Sequence, residues 1–144
     1  KSAKGLIYGM TMDTSLGDLF RAVMEGLKFE MAYNLEVLSR FGIAANRLFA
    51  TGGGARSPIW LQIKADILNK EILPTQSEEA GALGGVILAA SAIGMFNGVE
   101  KAAKHFVRYK DGIMPSNDVR NHYAEKYDEY KEFRKFSLSR ATGV

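Results

Sequence analysis

The sequence predicts an α/β fold with a short parallel sheet flanked by helices, and two observations lead to this prediction. The first is that two short apolar segments, 47-RLFAT-51 and 71-EILP-74, have the character of buried strands and are separated by one helical segment. The second is that the links between these segments are short, which favours a parallel β-α-β unit. With 144 residues, 47 % of them hydrophobic, the chain is long enough for one domain with one core.

A long amphipathic helix is predicted ahead of the first strand. Ser15 and Asp18 stand three residues apart, as at a capped helix start, and Gly42 is the expected stop. Residues 5–10, GLIYGM, are predicted to form a further short strand. One face of the helix should be buried, because its apolar residues recur at three- and four-residue steps. They are Leu16, Leu19, Phe20, Val23, Leu27, Met31, Leu35 and Leu38.

The helix between the two strands has a clear predicted beginning. Ser57 is a good N-cap and Pro58 occupies the first helical position, where proline is tolerated. Ile59, Ile63 and Ile67 then follow four residues apart, which predicts an amphipathic helix that ends near residue 69.

A third helix is predicted over residues 78–96, with Ser77 at its start and Glu78 and Glu79 in its first turn. This segment is rich in glycine and alanine, and each glycine costs about 1 kcal/mol of helix propensity relative to alanine. The small residues therefore predict a close approach to the helix backbone, either by tight packing on the sheet or by a ligand. They are Ala80, Gly81, Ala82, Gly84, Gly85, Ala89 and Ala90.

The C-terminal part predicts a short helix over 99–106, a loop over 111–118 and a last helix over 119–136. Aromatic residues recur on this last helix at helical spacing. A docking face is the favoured interpretation, and a stacking platform for bases is the alternative. The aromatic residues are Tyr123, Tyr127, Tyr130 and Phe133.

Composition narrows the function classes. The net charge is +3 and the basic residues are scattered, so nucleic-acid binding is not expected. The chain contains no cysteine, which excludes disulfides and thiolate chemistry and suits the cytoplasm.

No apolar run approaches the roughly 20 residues of a membrane span, and no leader sequence is evident. Since the chain does not begin with Met, we expect it to be part of a longer protein.

The stretch 49-FATGGGARSPIWLQ-62 is the strongest candidate site. Its three glycines leave a predicted strand and lead into a helix N-terminus, where backbone N–H groups and the helix dipole favour an anion. A plain turn would explain them equally well. A P-loop is excluded because no Lys follows the glycines before Lys64. A dinucleotide site is weakened because 71-EILPTQ-76 ends without the acidic residue that would bind a ribose.

Other candidate catalytic residues are few. His105 and His122 lie far apart in the sequence and have no acidic partners at metal-ligand spacing, so no metal site is predicted. Asp18 and Asp66 fall on helices, where they are expected to cap or pair. No Ser-His-Asp arrangement can be proposed.

The segments taken in order resemble the C-terminal portion of the FGGY family of carbohydrate kinases, and within it the xylulokinase-like branch. The resemblance rests on GLIYGMTMDTSLGDLFRAVMEGLKFE, TGGGARSPIWLQIKADILNKEI, EEAGALGGVILAASAIGMF and HYAEKYDEYKEF. It implies an incomplete actin-like ATPase domain of the ribonuclease H type, with residues 1–144 forming one truncated nucleotide-binding domain. The sugar-binding N-terminal domain and the first two strands would then be absent, which would leave one sheet edge less covered.

The resemblance also implies site residues and a reaction. Gly52, Gly53 and Gly54 match the glycine cluster that lies against ATP near the α-phosphate and ribose, and Ser57 matches the position that reaches toward the adenosine. Glycerol kinases commonly have Asn at the position of Ser57. The reaction would be transfer of the ATP γ-phosphoryl group to a sugar hydroxyl, with Mg²⁺ bridging phosphates and an Asp as general base. That Asp belongs to the family's first domain, so no catalytic residue and no kinase activity are expected in this chain.

Two alternatives remain open at this point. The chain could be a non-catalytic actin-like association module, since family members are often homodimers. It could also be a dinucleotide-binding oxidoreductase domain, which would bind NAD(H) in place of ATP or ADP.

Overall fold

The structure is a computed structural model that describes residues 5–77 and 79–142. The described residues fall into two compact units. The first, here the helical unit, comprises the residues up to Ala45, Ile63–Asn69 and the residues from Pro115 onward. The second, here the sheet unit, comprises Asn46–Gln62 and Lys70–Met114.

Helix α1, Leu16–Arg40, dominates the first part of the helical unit. Its start is a capping box: the Asp18 N–H donates to Ser15 Oγ at 3.2 Å, and the Ser15 N–H donates to Asp18 Oδ2 at 2.9 Å. Its end is a Schellman turn, in which Gly42 has φ +79° and Ile43 N–H donates to the Leu38 carbonyl at 3.1 Å. The predicted start and stop are both confirmed.

Helix α5, Arg120–Thr142, packs across α1 around the buried ring of Phe29. The rings of Tyr123, Tyr127 and Tyr130 have centroids 6.3, 6.3 and 5.5 Å from that ring. A one-turn 3₁₀ helix, Asn117–Val119, precedes α5. The aromatic residues of the last helix thus form a docking face, as predicted, and this use explains them without a platform for bases.

The same tyrosines carry their hydroxyls to carboxylates of α1. Tyr123 donates to Glu25 at 2.9 Å and Tyr127 to Glu36 at 2.7 Å. Tyr130 donates to Glu30, which also accepts from Arg134 Nε at 2.9 Å. These bonds give the polar ends of the buried rings their partners, as buried Tyr requires.

The exposed apolar residues of α1 differ from the prediction of one buried face. Four of the predicted core positions are between 56 % and 70 % exposed, and Leu38 is 41 % exposed. Helix α5 covers the side of α1 that carries Phe29, and within the described helical unit these four side chains stay at the surface. The four residues are Leu16, Phe20, Val23 and Leu27.

The sheet unit contains the predicted β-α-β unit. Strands β1, Arg47–Ala50, and β2, Glu71–Pro74, pair in parallel with Arg47 opposite Glu71 and Ala50 opposite Pro74. Helix α2, Pro58–Leu68, connects them, although only its first part belongs to this unit. Among the described residues the sheet has these two strands.

The edge of β2 that faces away from β1 is covered by residues 107–113. The sequence predicted a loop from residue 111 onward but did not predict this pairing. Ile113 exchanges two backbone hydrogen bonds with Ile72, at 3.0 and 2.8 Å, and Lys110 N–H donates to the Pro74 carbonyl at 2.8 Å. Residues 107–113 therefore run antiparallel beside β2. The pairing leaves Ile72 fully buried at the centre of this unit.

The predicted strand over residues 5–10 is not formed. These residues are exposed and irregular, and no strand of the described chain lies beside them to complete a ladder. Tyr8 instead packs on Phe133 of α5, with ring centroids 4.1 Å apart. A strand needs a paired neighbour, so its local sequence alone was insufficient.

Helix α3, Ala80–Ala92, is shorter than predicted at both ends. The Ser77 carbonyl accepts a hydrogen bond from Thr75 Oγ1 at 3.0 Å, and Glu79 takes the N-cap position, so Ser77 does not start the helix. Glu78 lies outside the described residues. Gly94, with φ +76°, ends the helix in a Schellman turn in which Met95 N–H donates to the Ala90 carbonyl at 3.0 Å.

Of the two alternatives predicted for the small residues of α3, tight packing on the sheet is not found among the described residues at its glycines. A Cβ built on Gly81, Gly84 or Gly85 meets no described atom within 4 Å, apart from the helix's own backbone. Helix α3 contacts α4, Val99–Phe106, and buries Ile87 and Ala90. Its glycines lie outside that contact. No helix of the described chain is long and apolar enough to cross a membrane.

Lys28 is a charged residue that is buried inside the helical unit, and the sequence pattern did not predict its burial. It is 5 % exposed and precedes Phe29 on α1. Met24 and Met31, four residues before and three residues after it, share its side of the helix. Burial, and to a smaller extent the positive charge of Lys64, lowers the pKa of Lys28 to about 8. The buried ammonium therefore titrates far below the range of a solvated lysine.

Replacing Lys28 with Met should change how stability depends on pH. An unfolded Lys has a pKa near 10.4, so between about pH 8 and 10 the unfolded wild-type chain binds more protons than the folded chain. The free energy of unfolding of the wild type should therefore rise with pH relative to that of Lys28→Met, by up to about 1.4 kcal/mol per pH unit. Urea unfolding at pH 7 to 10 measures this difference. The control is Lys101→Met, at an exposed position on α4. Parallel curves of the free energy of unfolding against pH for the wild type and Lys28→Met would contradict the prediction.

Candidate functional site

The candidate site is the glycine turn, defined here as residues 51–57 between β1 and α2. The carbonyl of Ala50, the last residue of β1, accepts a hydrogen bond from the Thr75 N–H at 2.8 Å, so the strand is held to its neighbour where the turn begins. Residues Gly53–Arg56 then form one turn of 3₁₀ helix, and the Ala55 N–H donates to the Gly52 carbonyl at 2.9 Å.

Gly52 has a backbone conformation that only glycine adopts readily. Its φ is +78° and its ψ is −167°, a region that is essentially restricted to glycine because a Cβ would clash with the backbone. The chain changes direction at this residue. Gly52 is therefore required by the turn itself, whatever the turn binds.

Gly53 and Gly54 differ in what surrounds them. A Cβ on Gly53 would meet nothing within 4 Å among the described atoms, so this glycine faces open space. A Cβ on Gly54 would lie 3.1 Å from Nε1 of Trp60. A Cβ at residue 54 would force the indole to move by a few tenths of an ångström, whereas a Cβ at residue 53 would displace no described atom.

Ser57 begins α2 as predicted. Its Oγ accepts a hydrogen bond from the Trp60 N–H at 3.3 Å, and its carbonyl accepts one from the Leu61 N–H at 3.0 Å. The side chain is exposed. This geometry places a hydroxyl and the positive end of the helix dipole next to the three glycines.

Three further residues of α2 have structural partners. Gln62 Nε2 donates to the Met114 carbonyl at 3.1 Å in the sheet unit. In the helical unit Ala65 is fully buried, and Asp66 Oδ1 accepts from the Ser116 N–H at 2.8 Å. The prediction that Asp66 pairs rather than catalyses agrees with this contact.

The two histidines contact aromatic rings. The ring of His105 contacts Phe96 and Phe106, and that of His122 contacts Tyr123. Within residues 5–77 and 79–142, no group of three or more His, Asp or Glu side chains could hold a metal ion.

The ends of the two strands do not support a dinucleotide site. Thr75 and Gln76 follow β2, where that site would have an acidic residue. Both are engaged inside the sheet unit, since Thr75 Oγ1 donates to the Ser77 carbonyl and Gln76 Nε2 donates to the Tyr109 carbonyl. Glu79 is an N-cap without a side-chain capping bond.

The two adjacent glycines should respond differently to alanine. Gly52→Ala forces a Cβ into a glycine-only conformation and should lower the free energy of unfolding by about 1–3 kcal/mol. Gly53→Ala meets no atom and should leave it within about 0.5 kcal/mol or raise it slightly. Urea unfolding of the two variants beside the wild type measures both values, and equal losses would contradict the geometry described for the turn.

Comparisons with known proteins agree with the architecture. The model of the FGGY family of carbohydrate kinases, C-terminal domain, matches residues 1–93. The xylulose kinase of Staphylococcus epidermidis is 31 % identical over 132 residues, which are 92 % of this chain and 27 % of that protein. The ribulokinase of Bacillus licheniformis is 34 % identical over 134 residues, which are 89 % of this chain and 24 % of that protein.

The fold is similar to that of a solved member. The crystal structure of xylulose kinase from Rhodospirillum rubrum matches with a TM-score of 0.83 and 26 % identity, over 97 % of this chain and 28 % of that one. The chain thus spans about a quarter of the length of the relatives it matches. Its fold is that of part of an actin-like ATPase domain, with a small parallel sheet flanked by helices. The chain belongs to the FGGY family of carbohydrate kinases, in which it matches the C-terminal domain.

Proposed function

We propose that this chain is the ATP-binding part of a carbohydrate kinase that transfers the γ-phosphoryl group of ATP to a sugar hydroxyl. The observation that carries the proposal is the open glycine turn, whose Gly53 faces free space immediately before the N-terminus of α2. Family membership supplies the reaction class, and the turn supplies a surface that a phosphate can approach closely. The whole of residues 1–144 would form part of one C-terminal nucleotide domain.

Each residue of the turn has a distinct proposed role. Gly52 bends the chain, and Gly53 and Gly54 lie against the nucleotide near its α-phosphate and ribose. Ser57 Oγ accepts from the Trp60 N–H, and its hydroxyl hydrogen is directed to the adenosine side of the nucleotide. The dipole of α2 favours the negative charge of the phosphates.

The chemistry itself is assigned to residues outside this chain. Phosphoryl transfer depends on positioning the two substrates and on a base that accepts the hydroxyl proton. In the proposal, that Asp and most sugar contacts belong to an N-terminal domain of the longer protein. Mg²⁺, when bound, would neutralise charge on the transferring phosphate.

The proposed acceptor is xylulose or a related pentose or sugar acid. Relatives that match most of this chain are a xylulose kinase and a ribulokinase, so xylulose is the first candidate. The cytoplasm is the proposed location, in agreement with a chain that has no cysteine.

Association with a second copy is also proposed, and one observation favours it. The exposed row on α1 presents Leu16, Phe20, Val23 and Leu27 along one side of a helix. Exposed apolar rows of this kind are typical of surfaces that are covered in an assembly. If the chain does not bind nucleotide, an association module becomes the better description of its function.

Titration with ADP tests the nucleotide site. Trp60 is the single tryptophan of the chain and lies beside Gly54, so ADP should change its fluorescence in a saturable way. Gly53→Val should abolish this response because its side chain fills the space left for the nucleotide. Isothermal calorimetry gives an independent dissociation constant.

Two controls make the titration specific. Lys101→Met, far along the chain on α4, should bind ADP like the wild type. NAD should give no response with either protein, whereas a saturable response to NAD alone would favour the dinucleotide alternative. A wild-type chain that shows no saturable ADP binding by either method would refute the nucleotide role.

The isolated chain should have no kinase activity. Catalysis of this type needs both substrates held in a closed cleft, and the proposed base and sugar site are in another domain. A coupled assay for ADP release with ATP, Mg²⁺ and D-xylulose should therefore give the background rate. Phosphorylation of D-xylulose by the purified 144-residue chain would show that the assignment of the base to another domain is wrong.

A further inference from the structure

Trp60 lies beside two residues of the proposed nucleotide surface, Gly54 and Ser57. Its indole Nε1 lies 3.1 Å from the position that a Cβ of Gly54 would occupy, and Cδ1 and Cε2 follow at 3.5 and 3.8 Å. Its backbone N–H donates to Ser57 Oγ at 3.3 Å. One residue in the first turn of α2 is therefore packed on the last glycine of the turn and hydrogen-bonded to the proposed adenosine contact.

The packing is specific to one of the three glycines. Gly52 and Gly53 have no described atom within 4 Å of a built Cβ, so Trp60 limits only Gly54. A separation of 3.1 Å is tighter than ordinary van der Waals contact, which means that a side chain at Gly54 and the indole cannot both keep their places. The indole is partly buried at the start of a regular helix, and the helix backbone limits its rotamers.

We infer that Trp60 is a positioning residue for nucleotide binding: the indole fixes the backbone at Gly54 and the amide fixes the hydroxyl of Ser57. The inference rests on the proposed function of the glycine turn. Trp60 acts through its neighbours, so it sets the affinity for the nucleotide without contacting it. The indole limits the space beside Gly54, whereas the space beside Gly53 is open to the nucleotide.

Trp60→Leu separates the indole from the rest of the site. Leucine is smaller than tryptophan and has no atom equivalent to indole Nε1, which lies 3.1 Å from a Cβ built on Gly54. The substitution removes Nε1 and Cε2, keeps the backbone N–H that donates to Ser57, and introduces a good helix former. It therefore tests the indole alone.

The experiment is a double-mutant cycle on the 144-residue chain with Gly54→Ala and Trp60→Leu. Urea midpoints give the coupling in stability, and calorimetry with ADP gives the dissociation constants without urea. Gly54→Ala should lower the midpoint in the wild type and leave it unchanged in the Trp60→Leu background. Trp60→Leu alone should raise the dissociation constant for ADP about fivefold, and Gly54→Ala should raise it by a smaller factor in the Trp60→Leu background than in the wild type.

A matched control uses the neighbouring glycine. Gly53→Ala and Trp60→Leu should change the urea midpoint additively, because a Cβ at Gly53 meets no side chain. Coupling of equal size at both glycines would mean that Trp60 affects the whole chain rather than Gly54, and would overturn the inference.

The remaining outcomes are also decisive. Additive midpoints for Gly54→Ala and Trp60→Leu overturn the inference, as does a Trp60→Leu chain that is less stable but binds ADP as tightly as the wild type. A wild-type chain that does not bind ADP refutes the proposed function and, with it, the nucleotide role of Trp60. The stability cycle distinguishes that failure from a failure of the contact between Trp60 and Gly54.

Discussion

Parallel pairing of β1 with β2 is the constraint on which the sheet unit depends. Two parallel strands cannot be joined by a tight hairpin, so the chain must leave the end of β1, return along α2 and enter β2 in the same direction. The hydrogen bond between Thr75 N–H and the Ala50 carbonyl holds the ends of the two strands together at 2.8 Å. Since only the glycine turn separates Ala50 from the start of α2 at Pro58, the reversal falls on that turn, and the φ of +78° at Gly52 is its local consequence.

This constraint explains why a turn and a nucleotide surface can share the same three glycines. The reversal requires glycine only at Gly52, and the indole of Trp60 limits the space beside only Gly54. Gly53 meets neither requirement in the described chain. The open space beside Gly53, next to the N-terminus of α2, is the physical basis of the proposed nucleotide contact.

Local sequence signals predicted the elements whose ends are set by local hydrogen bonds. Ser15 and Asp18 cap α1, Gly42 ends it, and Ser57 with Pro58 starts α2 in the predicted places. Prediction failed where the outcome depends on distant partners. Residues 5–10 have strand-like composition but no paired neighbour in the described chain.

The sequence likewise predicted one part of the candidate site and missed another. Its glycines and Ser57 were found from the sequence, because a glycine cluster between a strand and a capped helix is a local pattern. The contact between Trp60 and Gly54 was not, since it depends on the rotamer of one ring. Lys28 could have been noticed as a charge on the buried side of α1, but neither its burial nor its proximity to Lys64 on another helix can be read from the helical pattern alone.

Four carboxylates of the described chain have structural partners. Hydrogen bonds from Arg134 and, to a smaller extent, Tyr130 hold the pKa of the Glu30 carboxyl below its ordinary value. Those from Tyr127 and then Arg40 do the same for the pKa of Glu36. Asp18 caps α1 and Asp66 accepts from the Ser116 N–H. A general base must be close to the reacting hydroxyl and free to take its proton. Glu30 and Glu36 hold α1 against α5, Asp18 caps its own helix, and Asp66 holds the backbone at Ser116, so each of these four carboxylates has a structural role.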